Sequence, residues 1–245
     1  MSLRIATMTV WRVLNQLRRD RRTVALLLIM PSVLMTLLRY VFDGSPMVFD
    51  HIGVTLLGIF PFIVMFLVTS VAMLRERTSG TLERLLTTPI SKLDLLVGYG
   101  TAFALVAAVQ TLLTCATTLW LLDLHVCGNL SFVIGISVAD AVLGAALGLL
   151  VSAFAATEFQ AVQFMPAIVL PQLLLCGLFA PRDSMASWLD AASSLMPLSY
   201  VVEALSEVAR HAEATAILWR DLGIVVGLIG VCLVLAAVTL RRKTP

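Results

Sequence analysis

The sequence predicts an all-α, polytopic membrane protein with six transmembrane helices and an N-terminal interfacial helix. Three observations carry this expectation. Of 245 residues, 60% are hydrophobic and 13% charged, against roughly 25% charged in a soluble domain, and mean hydropathy is +0.99. So much apolar surface needs lipid as its solvent. Apolar runs of about 20 residues, enough to cross a hydrocarbon core of about 30 Å, recur along the chain. Arginine and lysine gather at alternate connections between those runs, which is a topology signal.

The first element precedes any span. Leu3, Ala6, Val10, Leu14 and Leu17 recur at three- and four-residue spacing, with arginines on the remaining face and Trp11 beside the stripe. That pattern predicts a helix over 1–22 lying in the inner headgroup plane. The alternative is a cytosolic helix packed on a partner. The first apolar run starts only after this helix and has no A-x-A site behind it, so it reads as a retained span rather than a cleaved signal peptide.

The spans are expected from Thr23 to Val41, Ile52 to Leu74, Leu95 to Leu122, Phe132 to Ala156, Ala161 to Ala180 and Leu222 to Leu240. The stretch 181–221 is too polar to cross in one pass. With the N-terminus inside, thirteen of the seventeen Lys and Arg fall on inner segments, and only Arg39, Arg182, Arg210 and Arg220 fall outside. Both termini are therefore expected inside the cell membrane. Tyr40, Trp120 and Trp219 fall at outer helix ends and Tyr99 near an inner one, as an aromatic belt would place them.

Several chemistries are excluded or disfavoured. A net charge of +2 gives no electrostatic case for nucleic acid. The sequence has no G-x-x-x-x-G-K-[ST], and neither Lys92 nor Lys243 follows a glycine-rich loop, so the chain is not itself a P-loop ATPase. His51, His125 and His211 all fall in predicted outer loops and no two have metal-ligand spacing. Cys115, Cys127, Cys176 and Cys232 form no C-x-x-C pair. A bridge between Cys127 and Cys176 stays open as the lesser alternative to free thiols.

Two places are candidates for function. Asp140 lies within the fourth apolar run, and an intramembrane acid is costly unless it meets partners or water. Because that run can slide, Asp140 sits either in the span or near its outer interface. An intramembrane enzyme built on Asp140, Glu158 or a histidine is the rival from another class, although no triad or ligand set accompanies them. Pro31, Pro61, Pro166 and Pro171 can loosen helices beside a path.

The other place is the inner segment 75–94, containing ERTSGTLERLLTTPISKLDLL from Glu76 to Leu96. Gly80 allows the backbone to turn sharply, Thr81 can cap a following helix, Glu83 suits its first turn, and Pro89 ends it. Leu82, Leu85 and Leu86 would form one side of that helix, Glu83 and Arg84 the other. An interfacial helix resting on lipid would show the same periodicity.

Glu76, then Gly80, Thr81, Leu82 and Glu83, the pair Leu85 and Leu86, and Thr88 with Pro89 resemble the cytoplasmic coupling region of type-2 ATP-binding-cassette (ABC) exporter permeases. The run TEFQAVQFMPAIVLPQLLLCGLF, Thr157 to Phe179, resembles the fifth span of that family's daunorubicin-resistance-like branch. A third likeness runs from Pro181 through Trp188, Pro197, Leu198 and Tyr200 to Leu205, with Ser199 where the family has threonine. The resemblance covers essentially all of 1–245. It implies a single permease domain, with short re-entrant outer helices between the fifth and sixth spans that Pro181, Pro197 and Trp188 would suit, that pairs with a second permease, a homodimer or a paralogue, and binds a separate cytosolic ABC ATPase. ATP would be the partner's, with no cofactor and no metal in this chain. The cargo would be a hydrophobic or amphipathic small molecule, as in multidrug efflux, or alternatively a lipid or lipid-linked polysaccharide. Glu76, Gly80, Thr81, Leu82, Glu83, Arg84, Leu85, Leu86 and Pro89 would couple it to the ATPase.

Overall fold

The computed structural model describes residues 3–81 and 92–239, and all its regular structure there is helical. In chain order the helices are α1 (Leu3–Arg19), α2 (Arg21–Val41), α3 (Pro46–Thr78), α4 (Lys92–Ala116), α5 (Leu130–Val151), α6 (Glu158–Leu175), α7 (Ser187–Ser193), α8 (Pro197–Arg210) and α9 (Ala216–Thr239). A wider π turn, Thr117–Leu121, closes α4. Among the described residues six helices are long and apolar enough to cross a membrane: α2, α3, α4, α5, α6 and α9.

The bundle is built around α3 and α5. Two thirds of the apolar window of α3 and 61% of that of α5 are buried inside the chain, against 17% for α2, α6 and α9. The contact is possible because α5 offers glycine at Gly144 and Gly148, one turn apart. An added Cβ would stand 2.4 Å from the Phe62 carbonyl oxygen and 2.5 Å from that of Phe66 respectively. Phe62 and Phe66 are also one turn apart and pair in the same order, so α3 and α5 run parallel. Small residues at four-residue spacing let helix backbones approach where lipid gives no hydrophobic drive for association. Phe49, Leu57, Phe62, Phe66, Val201 and Leu205 form one buried cluster; Val13, Leu27, Met65, Met73, Tyr99 and Phe103 belong to another.

Helix limits follow local chemistry. Pro46 opens α3, where its missing N–H costs nothing. At 33 residues and 1.5 Å per residue α3 is about 50 Å long, more than a bilayer core of about 30 Å, so it projects beyond it. At its far end Ser79 caps the helix, and Gly80 turns the chain with φ of +71°. Helix α6 begins at a reciprocal cap: the Gln160 amide donates to Thr157 Oγ1 (3.2 Å), while the Ala156 amide donates to Gln160 Oε1 (2.8 Å). Pro31, Pro61, Pro166 and Pro171 sit inside continuous helices.

Some expected boundaries are corrected. The fourth span ends at Val151, not Ala156, and the fifth starts at Glu158 and stops at Leu175, because Thr157 in extended backbone caps α6. The sixth helix begins at Ala216, which brings Asp221 into it. That acid can enter because Arg220 binds it at 2.8 Å. Tyr99 is buried, not a headgroup anchor, whereas Tyr40, Trp120 and Trp219 are exposed. All four cysteines are free thiols.

The first helix packs one face on its own chain, a contact that neither sequence alternative contains. Ala6, Thr9 and Val13 are buried, and Gly98 on α4 admits them, an added Cβ there falling 2.6 Å from Thr9 Cβ. The buried face is thus turned slightly from the predicted stripe; Val10, Leu14 and Leu17 are partly buried beside it.

Candidate coupling site at the arginine-rich end

Helix α3 emerges at the end of the bundle where α2, α4 and α6 begin, and its last turn carries Arg75, Glu76 and Arg77. Cations in a last turn suit the partial negative charge of a helix C-terminus. Glu76 faces α1: Gln16 Nε2 donates to its Oε1 at 2.9 Å and Arg12 lies 3.6 Å from its Oε2. Arg12 also donates to the Tyr99 hydroxyl, its guanidinium carbon 5.5 Å from the Tyr99 ring centroid. One acid at the end of α3 is thereby tied to α1 and, through Arg12, to α4.

Arg75, on the neighbouring face, reaches the other helix starts. Its Nε and Nη2 donate to the two carboxylate oxygens of Glu158 at 2.8 and 3.0 Å, a bidentate pair at the first residue of α6. It also lies 4.0 Å from Asp20, between α1 and α2. Asp20 caps α2, accepting from the Thr23 amide (3.2 Å) and hydroxyl (2.6 Å). Those hydrogen bonds, the hydroxyl's first, hold its carboxyl below the usual aspartate pKa. Each pair is partly exposed and weak alone, of order 0–1 kcal/mol. Together they join α1, α2, α4 and α6 to the two residues four and five positions before Gly80. Arg75 and Glu76 thus stand between those helices and the Gly80 turn.

Of the residues expected to couple, Glu76, Gly80 and Thr81 are described, and the Thr81 hydroxyl lies 2.9 Å from that of Ser79. Leu82, Glu83, Arg84, Leu85, Leu86 and Pro89 lie outside the described residues. Sequence reasoning missed the roles of Arg12, Gln16, Tyr99 and Arg75. Nothing in local periodicity marks them, because each partner is distant in the chain. The Thr157–Gln160 capping pattern was the available signal for the Glu158 end.

Asp140 lies midway along α5. It is the eleventh of the 22 residues of α5, about 15 Å along the helix, and fully buried. Neither carboxylate oxygen has a hydrogen-bond partner among the described residues. It faces α3 at Gly58, where an added Cβ would be 3.2 Å from Asp140 Oδ2 and 2.8 Å from Leu205 Cδ1 of α8. Helix α8 is held there by the Pro-Leu-Ser-Tyr element. Ser199 and Ser193 share a hydrogen bond (3.0 Å), Tyr200 donates to the Ser194 carbonyl (2.6 Å), and the Leu198 amide donates to Gln172 of α6 (3.4 Å). On its other side Arg182 and Arg220 both bind Glu203, at 3.1 and 3.0 Å, fastening α8 to α9.

The residues named for an enzyme are scattered. Glu158 is bound to Arg75, Asp140 has no base beside it, and His125 and His211 lie by Asp50 and Glu207 at the opposite end. Among the described residues no three His, Cys, Asp or Glu are grouped to hold a metal.

The ABC-2 type transporter family model matches residues 6–209, from α1 through α8. The chain belongs to the ABC-2 type transporter family. It is 25% identical over 168 residues to the probable multidrug ABC transporter permease YbhR of Escherichia coli K12, covering 69% of this chain and 46% of that one. It is 28% identical over 143 residues to the probable multidrug permease YbhS of the same organism, 58% of this chain and 38% of YbhS. To the linearmycin resistance permease protein LnrN of Bacillus subtilis 168 it is 26% identical over 167 residues, covering 68% and 41%. These alignments span less than half the length of each of these relatives.

Proposed function

We propose that this chain is a permease subunit of an ABC exporter of the daunorubicin-resistance-like branch, moving a hydrophobic or amphipathic compound with ATP hydrolysed by a separate cytosolic subunit. The observation that carries the reading is the convergence of α1, α2, α4 and α6 on Arg75 and Glu76, next to the Gly80 turn. A chain with that arrangement has a handle on its helix starts, and its sequence has no P-loop motif. Family membership and the names of the relatives as multidrug or resistance permeases support the same function.

In this reading the whole of 1–245 acts as one domain in the cell membrane, with both termini and the arginine-rich end inside. The stretch 75–94 is the coupling region, α1 lies at the inner surface, and 181–221 dips into the outer leaflet. Two permeases share a path, because one bundle around the α3–α5 contact leaves no room between its central helices. Asp140 is an intramembrane polar group on α5 that gains a partner as α3 and α8 move. The ATPase drives the cycle by its differential affinity for two arrangements of the coupling region. Leu82, Glu83, Arg84, Leu85, Leu86 and Pro89 complete the surface it grips.

Purification from the native membrane, identification of the bound ATPase and reconstitution of the complex test this directly. ATP-dependent clearance of a fluorescent hydrophobic compound from the vesicle membrane is expected. A chain that retains no ATPase, or moves the compound equally without ATP, would contradict the proposal.

A further inference from the structure

We infer that the elbow between α1 and α2 is a binding site for an anionic phospholipid, with arginines for the phosphate and an apolar ledge for the glycerol and upper acyl chain. The inference rests on the reading that this end faces the inner leaflet. An open hollow of about 800 Å³ lies along α1, its described lining being Thr7, Met8, Trp11, Arg12, Asn15, Gln16 and Arg19 of that helix. Trp11 is 68% and Met8 61% exposed, although the opposite face of the same helix is packed on α4. An exposed tryptophan on an amphipathic helix with arginines is the composition of a surface helix sunk to headgroup depth.

The charge beside that ledge is unspent. Arg18, Arg19, Arg21 and Arg22 are all exposed, and none makes an ion pair with the described residues, whereas Arg12 and Arg75 are held by Glu76, Asp20 and Glu158. Asp20, the one acid in the run, is occupied as the cap of α2. Trp11, Asn15 and Arg18 or Arg19 follow at three- and four-residue spacing and so share a face of α1. Directly after the arginines, α2 exposes Leu26, Ile29 and Met30. Cationic forks above and an apolar helix face below reproduce the profile of a phospholipid, phosphate over acyl chain. Guanidinium groups suit the phosphate because they bind it bidentately. An acidic face of a cytosolic protein could use the charge, but it gives no reason for the adjoining apolar faces of Trp11, Met8 and α2.

The test uses the full chain in bilayers, with Trp120, Trp188 and Trp219 replaced by Phe so that Trp11 alone is read. Phosphatidylglycerol brominated on its acyl chain, mixed with plain phosphatidylcholine, is compared with the converse mixture. Brominated phosphatidylglycerol should quench Trp11 more strongly at equal mole fraction, corresponding to a preference of about five-fold or more, the effect of one arginine at a charged surface. Salt at 1 M, where screening reaches within about 3 Å, should bring the preference toward one. The variants R18Q/R19Q and R21Q/R22Q should each lower it, while R18K/R19K should keep only the part that charge alone supplies. Equal quenching by both lipids, no quenching by either, or quenching abolished when the ATPase binds would overturn the site. None of those results touches the permease proposal, which is read separately by ATPase retention and ATP-dependent clearance.

Discussion

Replacing Gly144 or Gly148 with alanine tests the contact on which the bundle is built. At Gly144 the new methyl would stand 2.4 Å from the Phe62 carbonyl oxygen and 3.1 Å from its Cα; at Gly148 it would meet the Phe66 oxygen at 2.5 Å and the Ser70 nitrogen at 3.1 Å. A carbon rests against a carbonyl oxygen at about 3.3 Å, so α3 and α5 would have to part by about 0.9 Å. Backbone atoms cannot swing aside as a side-chain tip does. A gap of that size forfeits a quarter to a half of the dispersion energy of each contact it opens, and overpacking of a close-packed core costs about 1–3 kcal/mol. Gly223, Gly227 and Gly230 on α9 are the internal control, since a Cβ there meets nothing within 4 Å. Alanine at those sites should be neutral or add about 0.5–1 kcal/mol through helix propensity. Equilibrium unfolding in mixed micelles reads both signs on one scale. If Gly144→Ala and Gly148→Ala are as harmless as Gly227→Ala, the close backbone approach of α3 and α5 is wrong.

Glu76→Ala removes the acceptor of Gln16 and the partner of Arg12, two weak contacts, so α1 should loosen by about 1 kcal/mol; hydrogen exchange of α1 amides should quicken about five-fold, and unchanged protection would deny Glu76 its role as a tie. Asp140→Leu removes a buried carboxyl that has no partner, so stability should hold or rise while export falls. Unchanged export would take Asp140 off the transport cycle, and lost stability would mean the carboxyl is bonded after all. For orientation, in a background without Cys115, Cys127, Cys176 and Cys232, Ser187→Cys should react with an impermeant thiol reagent in sealed cells and Ser79→Cys should not; the reverse pattern would invert the topology. Gly128 is a poor probe site, because its Cβ would fall 2.5 Å from the Val208 carbonyl oxygen.

What could be read in the sequence is what depends on neighbouring residues. Span existence follows from run length and the turn at Gly80 from residue type, whereas the cap at Thr157 carried a local signal that the expected limits of the fourth and fifth spans overlooked. The buried face of α1 was found only approximately, because Gly98, ninety residues away, decides which of its residues approach closest. Tyr99 reads as a headgroup anchor by position, but Arg12 and Glu76 draw it inward. Asp140 could not be placed from a run that tolerates sliding; Gly58, Gly144 and Gly148 set its depth by fixing the register of α5 on α3. Arg182, Glu203 and Arg220 read as scattered outer charges until folding brings them together around α8. In each case the deciding contact lies far along the chain, where periodicity carries no information.

The central claim is that the segment after Gly80 transmits ATP-driven motion to helix starts tied to Arg75 and Glu76. Co-purification of the ATPase with Glu83→Lys and with Leu85→Asp tests it most directly. A helix merely resting on an anionic leaflet would gain roughly 1 kcal/mol from an added positive charge and keep its function. At a protein interface, breaking a buried charged contact costs about 2–5 kcal/mol. Both variants should insert normally, yet lose the ATPase or its transport-linked hydrolysis. If both retain the ATPase and export at the parent rate, the coupling assignment is contradicted.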